Sequence, residues 1–226
     1  MDTCIYIFTG HYGSGKTEAA VNFALKLHET KGRTALIDLD IVNPFFRSAD
    51  AKELLESRGI RVEVPLYANT NVDIPALTGA MGELIRNESM NVVLDIGGDD
   101  LGAKAVGRYS DDILARRKYE QYFVMNPKRP FTKDIHLASQ IYDEVQAAAV
   151  LPCTGIVSNI NILDDTTPDI VLERLPLVKE LAALKNVPIA YHAVTASCAD
   201  ALIEKHGDIF TDENVIRIER TVRRLF

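Results

Sequence analysis

Short apolar runs, bounded by glycine or polar clusters, alternate along this chain with stretches in which apolar residues recur every three or four positions. The runs are Cys4–Thr9, Thr34–Leu39, Arg61–Val64, Asn91–Ile96, Gln121–Met125, Gly155–Ser158, Pro188–Ala193 and Val215–Ile218. Their length and their β-branched and aromatic content read as strands buried on both faces. Helical spacing covers Glu18–Thr30, Ser48–Ser57, Ile74–Asn87, Thr132–Ala149, Pro168–Lys185 and Ala199–His206. In the first of these, Ala20, Phe23, Ala24 and Leu27 share one face. Strand and helix in alternation predict one α/β domain: a mainly parallel sheet of seven or eight strands with helices on both faces. Ligands of such sheets bind at the carboxyl ends of the strands. Asn69–Asp73 and Asp164–Thr167 read as ordinary polar connections, and no internal repeat or low-complexity tract divides the chain.

The loop after the first strand carries the clearest chemistry. Gly10-His11-Tyr12-Gly13-Ser14-Gly15-Lys16-Thr17 fits G-x-x-x-x-G-K-[ST], and it lies between a strand and a helix, the context that motif requires. Glycines let successive backbone N–H groups face one centre, and the N-terminus of the helix adds partial positive charge. Lys16 then reaches the β- and γ-phosphates of a nucleotide, the Thr17 hydroxyl is a Mg2+ ligand, and Glu18 closes the binding segment. The fold class is therefore a single-domain P-loop NTPase.

Three further strand ends can face that loop. Asp38-Leu39-Asp40 ends one apolar run and leads into Ile41–Arg47. Mg2+ keeps several waters and takes few protein ligands, so one carboxylate can act through water while the other orients the attacking water. Arg47 reads equally as a phosphate or partner contact and as a surface ion pair. Val92-Val93-Leu94-Asp95 ends in an acid of the kind that supports Mg2+, and Gly97-Gly98 supplies a turn able to sense the γ-phosphate. Asp99 and Asp100 read as helix-capping residues or as part of that turn. Asn159, at the end of Gly155–Ser158, offers both a donor and an acceptor to a purine edge, or serves a turn. Asn126-Pro127 shapes another loop on the same rim. The Ser158-Asn159-Ile160-Asn161 run lacks the Lys and Asp of a guanine-reading motif, which favours ATP over GTP.

Charge and composition narrow the partners. The chain has 226 residues, 47% of them hydrophobic and 25% charged, with a formal net charge of −7. An acidic balance argues against an extended nucleic-acid footprint. The three cysteines, Cys4, Cys153 and Cys198, are far apart, so neither a disulfide framework nor a cysteine-ligated metal is expected. The five histidines show no metal-ligand spacing, and His11 alone lies near the phosphate loop. No run is long enough to span a bilayer, and the first apolar segment leads into the phosphate loop rather than a cleavage site. A cytoplasmic location is the expectation.

Gly10–Thr17, Asp38-Leu39-Asp40 and Leu94-Asp95 together resemble the MinD/ParA division of P-loop ATPases, over about Ile5–Ser158. The resemblance implies that Asp40 positions the hydrolytic water, that Asp38 and Asp95 support Mg2+, and that Asn159 reads adenine. It also implies a nucleotide-dependent homodimer, in which a second lysine after the first glycine crosses to the partner's nucleotide. Here that position is His11, shorter and only partly charged at neutral pH, so the dimer stays open. Paired cysteines of the nitrogenase iron-protein type are not recognisable.

Two functions compete, beside a blander reading as a nucleotide-binding module without meaningful turnover. One is an ATP-binding protein and slow ATPase whose ATP/ADP state controls an unidentified protein partner through Asp40–Arg47 and Gly97–Arg108. The alternative is an ATP-dependent ligase or kinase acting on a small metabolite, as in dethiobiotin synthetase and cobyrinate amidotransferase relatives. The C-terminus, Asn214–Phe226, reads either as a last strand at Val215–Ile218 or as a basic amphipathic helix from Ile218. The strand reading is favoured, and membrane contact is not expected.

Overall fold

The computed structural model describes residues 3–39, 51–64, 79–98, 106–116 and 118–221. Among the described residues, eight strands form one sheet: β1 (Ile5–Thr9), β2 (Thr34–Leu39), β3 (Arg61–Glu63), β4 (Asn91–Ile96), β5 (Tyr119–Met125), β6 (Gly155–Ser158), β7 (Ile189–Thr195) and β8 (Val215–Ile218). Their order is β3-β2-β4-β1-β5-β6-β7-β8, and every pair is parallel. β1 is central, and all five of its residues are buried. That is why its sequence is continuously apolar rather than alternating.

The helices are α1 (Lys16–Lys31), α2 (Lys52–Ser57), α3 (Gly79–Arg86), α4 (Ser110–Ala115), α5 (Ile135–Ala149), α6 (Pro168–Lys185) and α7 (Ala196–Lys205). Because successive strand residues point to opposite faces, each strand divides its side chains between two cores. Tyr6, Phe8, Leu36, Val93, Tyr122, Val124 and Val157 pack beneath α1 and α2. On the other face, Phe123, Met125, Ile156, Val194 and Val215 meet α5, α6 and α7. Ile5, Ile7, Ile37, Leu39 and Leu94 meet α3 and α4 there. The ring of Phe23 on α1 lies 4.9, 5.2 and 5.1 Å from those of Tyr6, Phe8 and Tyr191.

Several boundaries move for local reasons. The helix expected from Thr132 starts at Ile135, because the Asp134 carboxylate accepts from Leu137 N–H and caps it there. Thr132 instead donates its hydroxyl to the Asn126 carbonyl at 2.6 Å, inside a short 3₁₀ turn over Pro130–Thr132. α7 begins at Ala196, directly on the end of β7, three residues before the expected start. α4 has no counterpart among the expected helices; only Ile113 of its six residues is buried, too little to register as periodicity.

Val215–Ile218 is the last strand, so the helical reading from Ile218 does not hold there. Arg217 is engaged by Asp200 and Asp212, each at 2.9 Å, rather than offered to an anionic surface. β8 continues along α1, where Asn22 donates to the Glu219 carbonyl at 2.9 Å and accepts from Glu219 N–H at 3.1 Å. Residues 222–226 lie outside the described residues. Among the described residues, no helix is long and apolar enough to cross a membrane.

Candidate functional site

The phosphate loop leaves the carboxyl end of β1 in the middle of the sheet. Its start is pinned to the neighbouring strand, where Thr9 donates its hydroxyl to the Tyr122 carbonyl at 3.0 Å. Gly10, Gly13 and Gly15 have φ of 142°, 75° and 84°, in the region that side-chain-bearing residues avoid. These angles curl the backbone so that Ser14 N–H reaches the His11 carbonyl at 3.1 Å. α1 then starts at Lys16, after Gly15 at its N-cap, which supplies no side chain to cap the first N–H groups. Lys16 is 7% exposed, and its Nζ donates to the His11 carbonyl at 3.0 Å. The ammonium thus lies folded over the loop that would receive phosphate.

Two acids stand beside this cradle. Asp38 on β2 and Asp95 on β4 are partners in register, and Asp95 is also the partner of Phe8 on β1. Both are 0% exposed. They share parity with Leu36 and Val93, so they point to the face that carries α1. Adjacent buried carboxylates repel and lose hydration, a cost that a cation among them offsets. Two carboxylates so placed fit a Mg2+ that takes few protein ligands and keeps most of its waters. Among the described residues, no group of three or more His, Cys, Asp and Glu forms a protein-only metal cage. Asp40, Arg47, Asp99 and Asp100 lie outside the described residues.

The turn after β4 closes over the loop. A Cβ added to Gly98 would come within 2.6 Å of Tyr12 N and 2.9 Å of Lys16 Nζ, so only glycine fits without moving the loop. On the other side, Asn159 supports the cradle from below. It is 4% exposed, and its Nδ2 donates to the Ser14 carbonyl at 2.6 Å. Its Oδ1 is buried and has no hydrogen-bond partner among the described residues. An amide held in this way supports the phosphate loop directly. That contact joins residues 145 apart in the chain and left no trace in sequence spacing.

His11 and Tyr12 face outward. The imidazole stacks on Phe131 with centroids 4.2 Å apart and planes at 28°, and its Nδ1 lies 3.0 Å from the Tyr12 carbonyl. Beyond Lys16, Glu18 accepts from Thr221 N–H and from the Thr221 hydroxyl at 2.8 Å. Glu18 also borders an open cavity of about 530 Å³ at the carboxyl ends of β6, β7 and β8, lined by Asn161, Asp164, Thr195, Ser197 and Arg220. Asn161 accepts from Leu163 N–H at 2.7 Å through Oδ1. Neither Asn161 nor this cavity figured among the sequence candidates. The Asn161 position, two residues after Asn159, was the available clue. Cys4, Cys153 and Cys198 are free and buried, and burial raises the Cys4 thiol to about 11.

Solved structures with this architecture include chloroplast FtsY from Physcomitrella patens. It has a TM-score of 0.57 and 13% identity, over 85% of this chain and 58% of that one. The signal recognition particle receptor FtsY from Elizabethkingia anophelis, in complex with GDP, has a TM-score of 0.55 and 16% identity, over 86% and 57%. Signal Recognition Particle 54 kDa protein from Aeropyrum pernix K1, also with GDP, has 0.54 and 16%, over 85% and 41%. The fold is that of the P-loop NTPases. This chain spans well under two thirds of each of these proteins. No protein-family profile matches it, and no curated protein does. At such identities the likeness is one of fold, and it does not single out the MinD/ParA division.

Proposed function

We propose that this chain is a Mg2+-dependent ATP-binding protein and slow ATPase whose nucleotide state controls a protein partner. One observation carries the reading: a glycine loop with its lysine folded over it, beside two register-paired buried aspartates on the same sheet face. The loop N–H groups and Lys16 would bind the β- and γ-phosphates, with charge-assisted contacts the strongest among them. Bound Mg2+ would neutralise charge on the same phosphate oxygens. Thr17, Asp38 and Asp95 would hold and orient that ion's shell. Asp40 is assigned to positioning the attacking water, a role carried by the MinD/ParA resemblance alone.

The 530 Å³ cavity beside Glu18 is a suitable size for a purine base and its ribose. ATP is preferred because Ser158-Asn159-Ile160-Asn161 has no Lys and no Asp at the positions where a guanine-reading motif carries them. Guanine recognition calls for an acceptor able to take both N1–H and the exocyclic amine. A guanine nucleotide is the second reading, favoured by the GDP bound in two of the similar structures. Competition of ATP and GTP against a fluorescent ATP analogue, with and without Mg2+, decides between them. ATP preference and Mg2+ dependence that weakens in Asp95→Ala support the proposal; preferential GTP displacement overturns its nucleotide assignment. Asp40→Ala should bind ATP and lose turnover, and wild-type turnover in that variant would remove Asp40 from the mechanism.

A further inference from the structure

The segment from Asn126 to Lys133, between β5 and α5, is built rigidly and presents an unusual surface. Asn126 is 2% exposed and sits at its centre. It donates to the Asn161 carbonyl at 2.8 Å, accepts from Lys128 N–H at 3.0 Å through Oδ1, and accepts from Arg129 N–H at 2.9 Å through its carbonyl. Every bond holds the backbone and leaves the side chains beyond it outside. Phe131 is 54% exposed although one ring face lies on His11, and neighbouring Tyr12 is 58% exposed. Lys128, Arg129 and Lys133 flank Phe131 in the chain, and among the described residues none of them forms an ion pair. The acid in the run, Asp134, is committed to capping α5.

We infer that this loop is a docking surface for an acidic protein segment bearing an aromatic side chain, and that it reports to the phosphate loop through Phe131 and His11. Local charge is the first argument. On a chain of net charge −7, three cations within six residues are a deviation, and they attract an anionic partner. Exposed aromatics beside arginine are the composition of interface centres, not of ordinary surface. The patch is too short for the extended cationic track that a nucleic acid needs.

Its position supplies the second argument, which rests on the phosphate-loop reading above. Tyr12 is met from one side by the Gly97-Gly98 turn, at 2.6 Å from the Gly98 Cβ position to Tyr12 N. His11, the preceding residue, carries the ring stacked on Phe131. A partner seated on Phe131 therefore bears on His11, and the next residue, Tyr12, is the one that the Gly98 position meets. Nucleotide and partner would influence each other's affinity through this contact, reciprocally.

The test uses the full chain and a fluorescein-labelled peptide alternating glutamate and phenylalanine, read by fluorescence anisotropy with Mg-ATP, with Mg-ADP and without nucleotide. Binding that differs between the nucleotide states is expected. It should weaken at least tenfold in Arg129→Glu with Lys133→Glu and in Phe131→Ala. The double charge reversal should keep wild-type affinity for a fluorescent ATP analogue, which also reports that it is folded. No peptide binding by the wild type, or binding unchanged in these variants, overturns the inference. Tighter binding of oligothymidylate or phosphatidylglycerol vesicles through the same residues overturns the protein partner. Self-association lost in the variants overturns it in favour of a second copy. Peptide binding with no analogue binding would defeat the nucleotide reading and the coupling together, while leaving the docking surface standing.

Discussion

Replacing Asn159 by alanine separates two roles that one side chain can have. As a base reader, Asn159 would discriminate adenine from guanine. As a strut, it holds the phosphate loop through the buried 2.6 Å bond from Nδ2 to the Ser14 carbonyl. The alanine variant strands that carbonyl beneath the loop, and a buried polar group left unpaired costs about 1–3 kcal/mol. If the loop relaxes to solvate the carbonyl, nucleotide binding must restore the original curl and bears that cost. The expected loss of affinity is then about 5- to 150-fold, since about 1.4 kcal/mol is a factor of ten. The loss should be equal for ATP and GTP, because phosphate contacts are common to both. Competition titrations on wild type and Asn159→Ala read both quantities. A loss confined to ATP would restore the base-reading role and refute the strut; unchanged affinity for both would refute either.

Other perturbations test the frame around the site. Gly98→Ala should keep the fold and lower Mg-nucleotide affinity at least about tenfold, because its Cβ meets loop backbone rather than a side chain that can move; equal affinity in titration would contradict the close packing. Arg116, 6% exposed, donates to the carbonyls of Ile85, Asn87 and Met90 at 3.1, 2.5 and 3.1 Å, so Arg116→Ala should cost about 1–3 kcal/mol in urea unfolding. A cost below about 1 kcal/mol would mean that water replaces it at those carbonyls. Burial, and then the charge of Lys179, lower the His192 pKa from 6.5 to about 4. The unfolded chain then takes up the proton first as pH falls, so stability drops from about pH 6.5 to about 4, by roughly 3 kcal/mol, and is intact above that window. The urea midpoint of His192→Phe should fall less over the same range; parallel curves would show that His192 contributes nothing.

Much of the fold is legible because buried parallel strands have little freedom in composition. Thr34–Leu39, Asn91–Ile96, Gly155–Ser158 and Val215–Ile218 read as apolar runs with the same ends that the strands have. Pro168–Lys185 is equally clear, since Thr167 caps it, Pro168 opens it and Asn186 closes it in a left-handed conformation. The glycine turn between β1 and α1, and the pairing of Asp38 with Asp95 at neighbouring strand ends, are legible because the G-x-x-x-x-G-K-[ST] pattern ties residue type to spacing. What escaped depends on contacts between distant segments. Nothing near Asn159 announces Ser14, nothing near Phe131 announces His11, and nothing in α1 announces that Asn22 will receive Glu219. Each is a tertiary pairing of polar or exposed groups, for which hydrophobic periodicity carries no information. α4 escaped because a six-residue helix burying one side chain has almost no period to detect.

The central claim is that Gly10–Thr17 binds a nucleoside triphosphate through Lys16. Isothermal titration of Mg-ATP into the wild-type chain and into Lys16→Ala, with circular dichroism to verify the fold, tests it most directly. The account predicts a saturable one-site isotherm for the wild type and none for the folded variant at the same concentrations. Equal affinity in the two proteins would contradict it.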